Sequence, residues 1–209
     1  PSFIKDYKWV KPAVNLQYNT RKSQFTLGLI AEAGKMMTSL NEDPFPSSGL
    51  FYFTPMFSWD YSRMTGRKIN FIYSSSIQTP TVSQLLPVVN NLNPLNIFYG
   101  NPGLNPEYGH QIMAHWLIFD QFSFTSLMMA FSGGFTGNKI NWVTSVNEDL
   151  IQTNTLTNVD WDYQGSMNVD FSTPIRKLGV KINLDVEENW NRGLSIVNEV
   201  ENIYNTFTQ

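Results

Sequence analysis

The chain has no cysteine. Disulfide frameworks and thiolate metal sites are therefore excluded. It has two histidines, His110 and His115. Their spacing sends them to opposite faces of one strand, so they cannot share a metal within it. No apolar run reaches ~18 residues, so no transmembrane helix is encoded. Charged residues are few, at 15%, and the net charge is −3 without a basic run. That balance argues against nucleic acid as a partner. There is no Gly-x-Ser-x-Gly elbow, no phosphate-cradling glycine loop and no metal-ligand spacing. A hydrolase needs a nucleophile, a base and an orienting acid in one place, and nothing here specifies that. No catalytic residue, cofactor or metal is predicted.

Aromatics are plentiful at 14%, within 42% hydrophobic residues over 209 positions. That is enough for one domain with a sizeable core. Mean hydropathy is −0.23, which by itself reads as soluble. The average misleads where only alternate residues face lipid.

Alternation is the dominant pattern. Val10, Pro12, Val14, Leu16 and Tyr18 alternate with Lys11, Ala13, Asn15 and Gln17. Phe51, Phe53, Pro55, Phe57, Trp59 and Tyr61 alternate with Tyr52, Thr54, Ser58 and Asp60. Tyr108, His110, Ile112, Ala114, Trp116 and Ile118 share one face. Trp161, Tyr163, Met167, Val169 and Phe171 alternate with Asp162, Gln164, Ser166, Asn168 and Asp170. Leu178 to Val186 alternates with Lys181, Asn183, Asp185 and Glu187. Period two means strands with one apolar and one polar face. These runs suit a tilted membrane strand of about 9–11 residues better than a soluble strand of about 5–6. Trp9, Tyr18, Trp59, Tyr61, Tyr108, Trp116 and Trp161 lie near strand ends, where interfacial girdles sit.

Connections alternate in length. Asn19–Ser23, Arg63–Arg67, Asp120–Gln121 and Pro174–Lys177 are short. Gly34–Gly49, Ser74–Glu107 and roughly Ser132–Asn158 are long. This rhythm fits a meander with short periplasmic turns and long outer loops. The alternative is a soluble β-sandwich with irregular loops. The favoured class is all-β: an antiparallel meander of about eight to nine strands, forming part of a larger transmembrane barrel. Residues 1–209 read as one barrel segment without a plug domain, cut from something longer. Within the long connections, Pro80–Leu86 reads as one short helical turn. Lys139–Val143 and Leu150–Leu156 read as a hairpin with Asn147, Glu148 and Asp149 at its tip.

The most distinctive stretch runs from Asn93 to Tyr108. It contains Gly100-Asn101-Pro102-Gly103-Leu104-Asn105-Pro106-Glu107 and follows Gln78-Thr79-Pro80-Thr81-Val82-Ser83-Gln84-Leu85. An aromatic-rich strand end, a Thr-Pro-Thr turn, a short Leu-containing helical piece and Gly-Asn-Pro-x-Leu-x-Pro-Glu resemble the barrel of TonB-dependent outer-membrane receptors. Pro87-Val88-Val89 and Asn93-Pro94-Leu95-Asn96 resemble the Bacteroidetes-type branch. The resemblance implies a parent barrel of about 22 strands holding a plug, TonB-type energy coupling, outer-membrane lipid around it and no enzymatic role. Gly100, Asn101, Pro102, Leu104, Pro106 and Glu107 read as structural family markers. Proline stiffens the loop, and Glu107 can accept backbone N–H bonds.

Polar positions Asp60, His115, Asp162, Asp170, Lys181 and Asp185 are expected to face the lumen. Phe45, Phe98, Tyr99, Asn147, Glu148 and Asp149 are the candidate substrate contacts, since long loops carry capture. Those aromatics have a second reading, packing a loop against its neighbours. Three functions are open. The first is import of a large nutrient (siderophore, glycan or peptide). The others are a structural or assembly barrel that binds a partner, and an outer-membrane enzyme.

Overall fold

A computed structural model describes residues 2–45, 49–88 and 90–209, and the side chains of 63, 64 and 90–93 lie outside that description. Val89 and residues 46–48, within stretches singled out from the sequence, are likewise outside it. The strands are β1 Phe3–Val10, β2 Ala13–Asn19, β3 Ser23–Leu40, β4 Asp43–Pro44, β5 Gly49–Met64 and β6 Arg67–Gln78. A four-residue helix follows, α1 Val82–Leu85. Then come β7 Asn90–Asn93, β8 Asn96–Phe98, β9 Glu107–Asp120, β10 Thr125–Val146, β11 Gln152–Ile175, β12 Val180–Val197 and β13 Val200–Thr208.

All of these strands belong to one sheet. β1 and β2 lie end to end along one edge of β3. Across the sheet the long strands run β1/β2, β3, β5, β6, β9, β10, β11, β12 and β13, each antiparallel to the next. The expected meander is therefore present. The alternation has a direct structural consequence: cross-strand neighbours share a face. One face carries the row Tyr61, Ile69, Trp116, Met129, Val169 and Val186. Next to it run Trp59, Phe71, Ala114, Phe131 and Met167, ending at Glu188 on β12, and then Phe57, Tyr73, Ile112, Gly133, Gly165 and Trp190. Leu27 lies opposite Phe57, and Leu184 lies opposite Phe171, on that same face. Leu27, Leu184 and Phe207 are more than half exposed, so this broad apolar face has no cover among the described residues.

Turns close the strands for identifiable reasons. Gly66 has φ +81, and a Cβ there would sit 2.0 Å from the Phe119 carbonyl oxygen. Asn198 and Glu199 have φ of 49° and 64°, the two left-handed residues of a type I′ hairpin. Asn41 and Glu42 repeat this at 50° and 73°.

The strands run further than alternation indicates. Lys35–Leu40, expected in a loop, continues β3 and pairs with β1. β6 continues to Gln78, β10 to Val146, and β11 starts at Gln152. Backbone pairing needs no apolar face, so the ladder persists where the period-two pattern fades. At the short turns, β10 begins at Thr125 and β11 continues through Pro174 to Ile175. Trp9 also departs from expectation. It lies opposite Gly34 on the polar-face register, with Lys11 Nζ 4.5 Å above its ring, so it is no part of an outward girdle. The pairing with β3 keeps one register through Lys11-Pro12, so Trp9 shares the face of Ala13 and Asn15.

The β10–β11 hairpin exchanges its neighbours along its length. Below Gly137, β10 pairs with β9; beyond it, Val143 and Thr144 pair in parallel with Ile196 and Val197. β11 pairs with β12 from Asp162 to Ile175, whereas Gln152–Asn154 pairs in parallel with β8. The outer part of the hairpin has turned over about its long axis, an extreme of ordinary strand twist. Asn138, with φ 52°, sits at the changeover.

Candidate functional site

The polar face is continuous across the sheet. Its central row is Gln24, Asp60, Asn70, His115, Ala130, Asn168 and Glu187. Asn70 Nδ2 donates to Asp60 Oδ1 at 2.9 Å. His115 Nδ1 stands 3.5 Å from Asn70 Oδ1. Asp170 lies directly opposite Asp185. Lys181 shares that register parity, as does Asp162 further along β11. All six residues expected on the polar side therefore share one face. His110 is on the other face, where its Nδ1 meets Tyr73 Oη at 2.8 Å between the rings of Tyr108 and Phe135.

Two carboxylates on the polar face are buried and each is gripped by a tyrosine. Tyr7 donates to Glu32 Oε1 at 2.7 Å, and Lys11 pairs with Glu32 Oε2 at 2.9 Å. Tyr204 donates to Asp162 Oδ2 at 2.6 Å. It reaches from β13 over β12 because Gly193 lies between: a Cβ there would be 2.3 Å from Asp162 Oδ2 and 2.4 Å from Tyr204 Oη. Buried charge persists only when paired in this way.

The outer connections fold onto this face. Helix α1 has a full capping box, Thr81 with Gln84, which satisfies its first N–H groups. Gly100 and Asn101 donate to the carbonyls of Leu86 and Gln84 at 2.9 and 2.7 Å. Leu85, Leu104 and Leu156 form a buried cluster, and Phe3, Met36, Phe98 and Ile140 pack on it. Phe3 comes from β1 and Leu156 from β11, so the loop spans the polar side between distant strands. Lys5 Nζ, also from β1, donates to the Pro80 carbonyl and to Thr79 Oγ1. Asn101 Nδ2 donates to Leu156 O at 2.9 Å. Pro80 and Pro106 are fully buried.

Glu107 does accept a backbone N–H, but from another strand. Its Oε1 takes Ile140 N–H at 2.8 Å and Lys139 Nζ at 3.2 Å. Below it is a cavity of about 310 Å³ lined by Ser74, Gln78, Gln111, Thr136, Asp162 and Gln164 among others. A second, of about 420 Å³, continues past Gln164 to Asn189 and Thr206. Both offer hydroxyl and amide groups. Among the described residues no group of three His, Asp or Glu could hold a metal. Such groups are the kind that hydrogen-bond a polar solute.

The candidate loop residues divide. Phe98 packs 5.3 Å from Trp142 and against the leucine cluster. Phe45 lies 6.5 Å from Phe3. Asn147 shapes its turn, accepting Ile151 N–H at 2.9 Å. Tyr99 is 37% exposed, and Glu148 and Asp149 are exposed at the hairpin tip. Sequence reasoning missed Lys139, Gln164 and Tyr204. Their parity was legible for Gln164, and the only hint for Tyr204 was the glycine at 193.

Among the described residues no helix is long and apolar enough to cross a membrane. No curated protein matches this chain. The model of the outer membrane protein beta-barrel family matches residues 14–208. The chain belongs to that family and is a protein of the bacterial outer membrane.

Proposed function

We propose that this chain forms the wall and outer mouth of a TonB-dependent type receptor that imports a large nutrient. The observation that carries this reading is the folding of the 79–106 connection and the outer β10–β11 hairpin onto the polar face, joined by Leu85, Leu104 and Leu156. A barrel that only filled a membrane would gain nothing from a roof over its polar side. The resemblance of Gly100–Glu107 to such receptors supports the same reading. On it, Asp60, His115, Asp162, Asp170, Lys181 and Asp185 line the lumen. Tyr99, Glu148 and Asp149 meet the solute first, while Phe45, Phe98 and Asn147 hold the loops in shape. A plug and the remaining wall complete the pore, and a TonB-type coupler moves the plug. The solute (siderophore, glycan or peptide) passes without chemical change.

The test is accumulation of candidate solutes by cells carrying the protein. Uptake should stop when the inner-membrane proton gradient is dissipated, with surface binding retained. Tyr99→Ala with Glu148→Ser and Asp149→Ser should weaken that surface binding while the barrel still assembles. Accumulation indifferent to the proton gradient would leave a passive or structural barrel instead.

A further inference from the structure

The connections at the two ends of the barrel differ in charge. The outer connections 41–48, 79–106, 147–151 and 198–199 contain Glu42, Asp43, Glu148, Asp149 and Glu199 and no Lys or Arg, and the lysines on the strands beside them, Lys5 and Lys139, are taken up by Pro80 and Glu107. At the opposite end, the turns and the strand starts beside them carry Arg21, Lys22, Arg67, Lys68, Arg176 and Lys177, all exposed. Asp120 is the acid at the 121–124 turn there. Three large apolar side chains stand among these cations: Phe122 at 78% exposed, Leu178 at 71% and Phe124 at 59%.

Arg176 organises part of this rim. Its guanidinium donates to the Phe122 carbonyl and lies 5.6 Å from the Phe124 ring. It therefore ties the β11–β12 turn to the β9–β10 turn and holds both phenylalanines in place. Short turns of such barrels are periplasmic, so this rim meets the inner leaflet of the outer membrane. Cations interleaved with exposed apolar side chains match a headgroup layer: phosphate takes the guanidinium and ammonium groups, and the rings enter the acyl boundary.

We propose that this rim is a docking surface for anionic phospholipid headgroups of the inner leaflet. The partner is a phosphatidylglycerol-type lipid.

The test is lipid retention by the protein purified from outer membranes in a non-ionic detergent. It is exchanged into micelles doped equally with phosphatidylglycerol and phosphatidylcholine, and bound lipid is read by native mass spectrometry. The expected result is selective retention of phosphatidylglycerol. R21Q/K22Q and R176Q/K177Q should each reduce it, and together lower it at least about ten-fold. The R21Q/K22Q pair leaves the Arg176 contacts intact, so its effect cannot come from a loosened turn. A heat-modifiable band confirms folding of each variant. Equal retention of both lipids would overturn the proposal, as would variants that retain as much as the parent. Displacement by inorganic phosphate at millimolar concentration would show a free-anion site instead, and preferential retention of lipopolysaccharide would place the contact in the wrong leaflet.

Discussion

Glu107, at the start of β9, accepts the backbone N–H of Ile140 on β10 at 2.8 Å. This bond lies where β10 leaves β9 and the hairpin begins to turn over. A hydrogen bond to a charged group contributes roughly 1.5–3 kcal/mol, and an orphaned buried partner costs about 1–3 kcal/mol. Glu107→Ala should therefore loosen the outer hairpin, 139–159, while the spanning ladder stays intact. Glu107→Gln keeps an acceptor oxygen but loses the ion pair with Lys139, so it should do less. Amide hydrogen exchange in detergent separates the two regions. Equal loss of protection throughout β9 and β10 would show that Glu107 supports the whole sheet instead.

Gly193 is the gap through which Tyr204 reaches Asp162. A methyl group there meets two oxygens at under 2.5 Å. Overpacking of this kind costs typically about 1–3 kcal/mol. Gly193→Ala should lower the urea midpoint of the micelle-folded protein more than Tyr204→Phe, which removes one hydrogen bond and adds no clash. The reverse order would mean that the strand shifts easily to admit the methyl.

The two faces make opposite demands. Met129 lies in the apolar belt between Trp116 and Val169, and Asn168 faces the other way beside Ala130. A cation on the lipid side costs about 2–4 kcal/mol near the membrane midplane and little on the polar side. Met129→Arg should impair folding into vesicles, and Asn168→Arg should leave it nearly unchanged. The parent itself should aggregate without detergent, because its apolar face has no internal cover. If Asn168→Arg is the damaging change, the facing of the sheet is inverted.

Asp120 closes a turn outside the spanning region. The Ser123 hydroxyl donates to its carboxylate at 2.7 Å, and Phe122 N–H donates at 2.9 Å. These bonds, the serine one first, hold its pKa below the ordinary carboxylate value. A depressed carboxylate pKa adds stability above the unfolded value, about 3.9, and that contribution fades as pH falls through the folded pKa. The parent should therefore lose an advantage over Asp120→Asn on acidification below about pH 4. Denaturation midpoints at several pH values check this, and Ser123→Ala should reduce the pH-dependent difference. A parent-to-Asn difference constant down to strong acid would remove the turn from the pH response.

The amino-acid sequence alone determined which side of each strand is apolar, because a side chain's direction follows from its parity along an extended backbone. Leu27, Phe57, Ile112, Val169 and Leu184 fell on one face, and Asp60, Asp170 and Asp185 on the other. The short helical piece after Pro80 was legible too, and the structure adds the Thr81–Gln84 capping box that starts it. Strand ends were not. Above the apolar belt neither face needs to be uniform, so Lys35–Leu40 lost its alternation while keeping its hydrogen bonds to β1. Tertiary structure alone decided what each polar group meets. Glu107 could be read as an acceptor, but its donor at Ile140 lies 33 residues away. Tyr204 finds Asp162 only because Gly193 lies flat between them. The turned-over outer hairpin is decided in the same way, by the edges it meets beyond the start of β9, Ile196–Val197 of β12 and β8. Parity gives a side chain its direction; only the folded register supplies its partner.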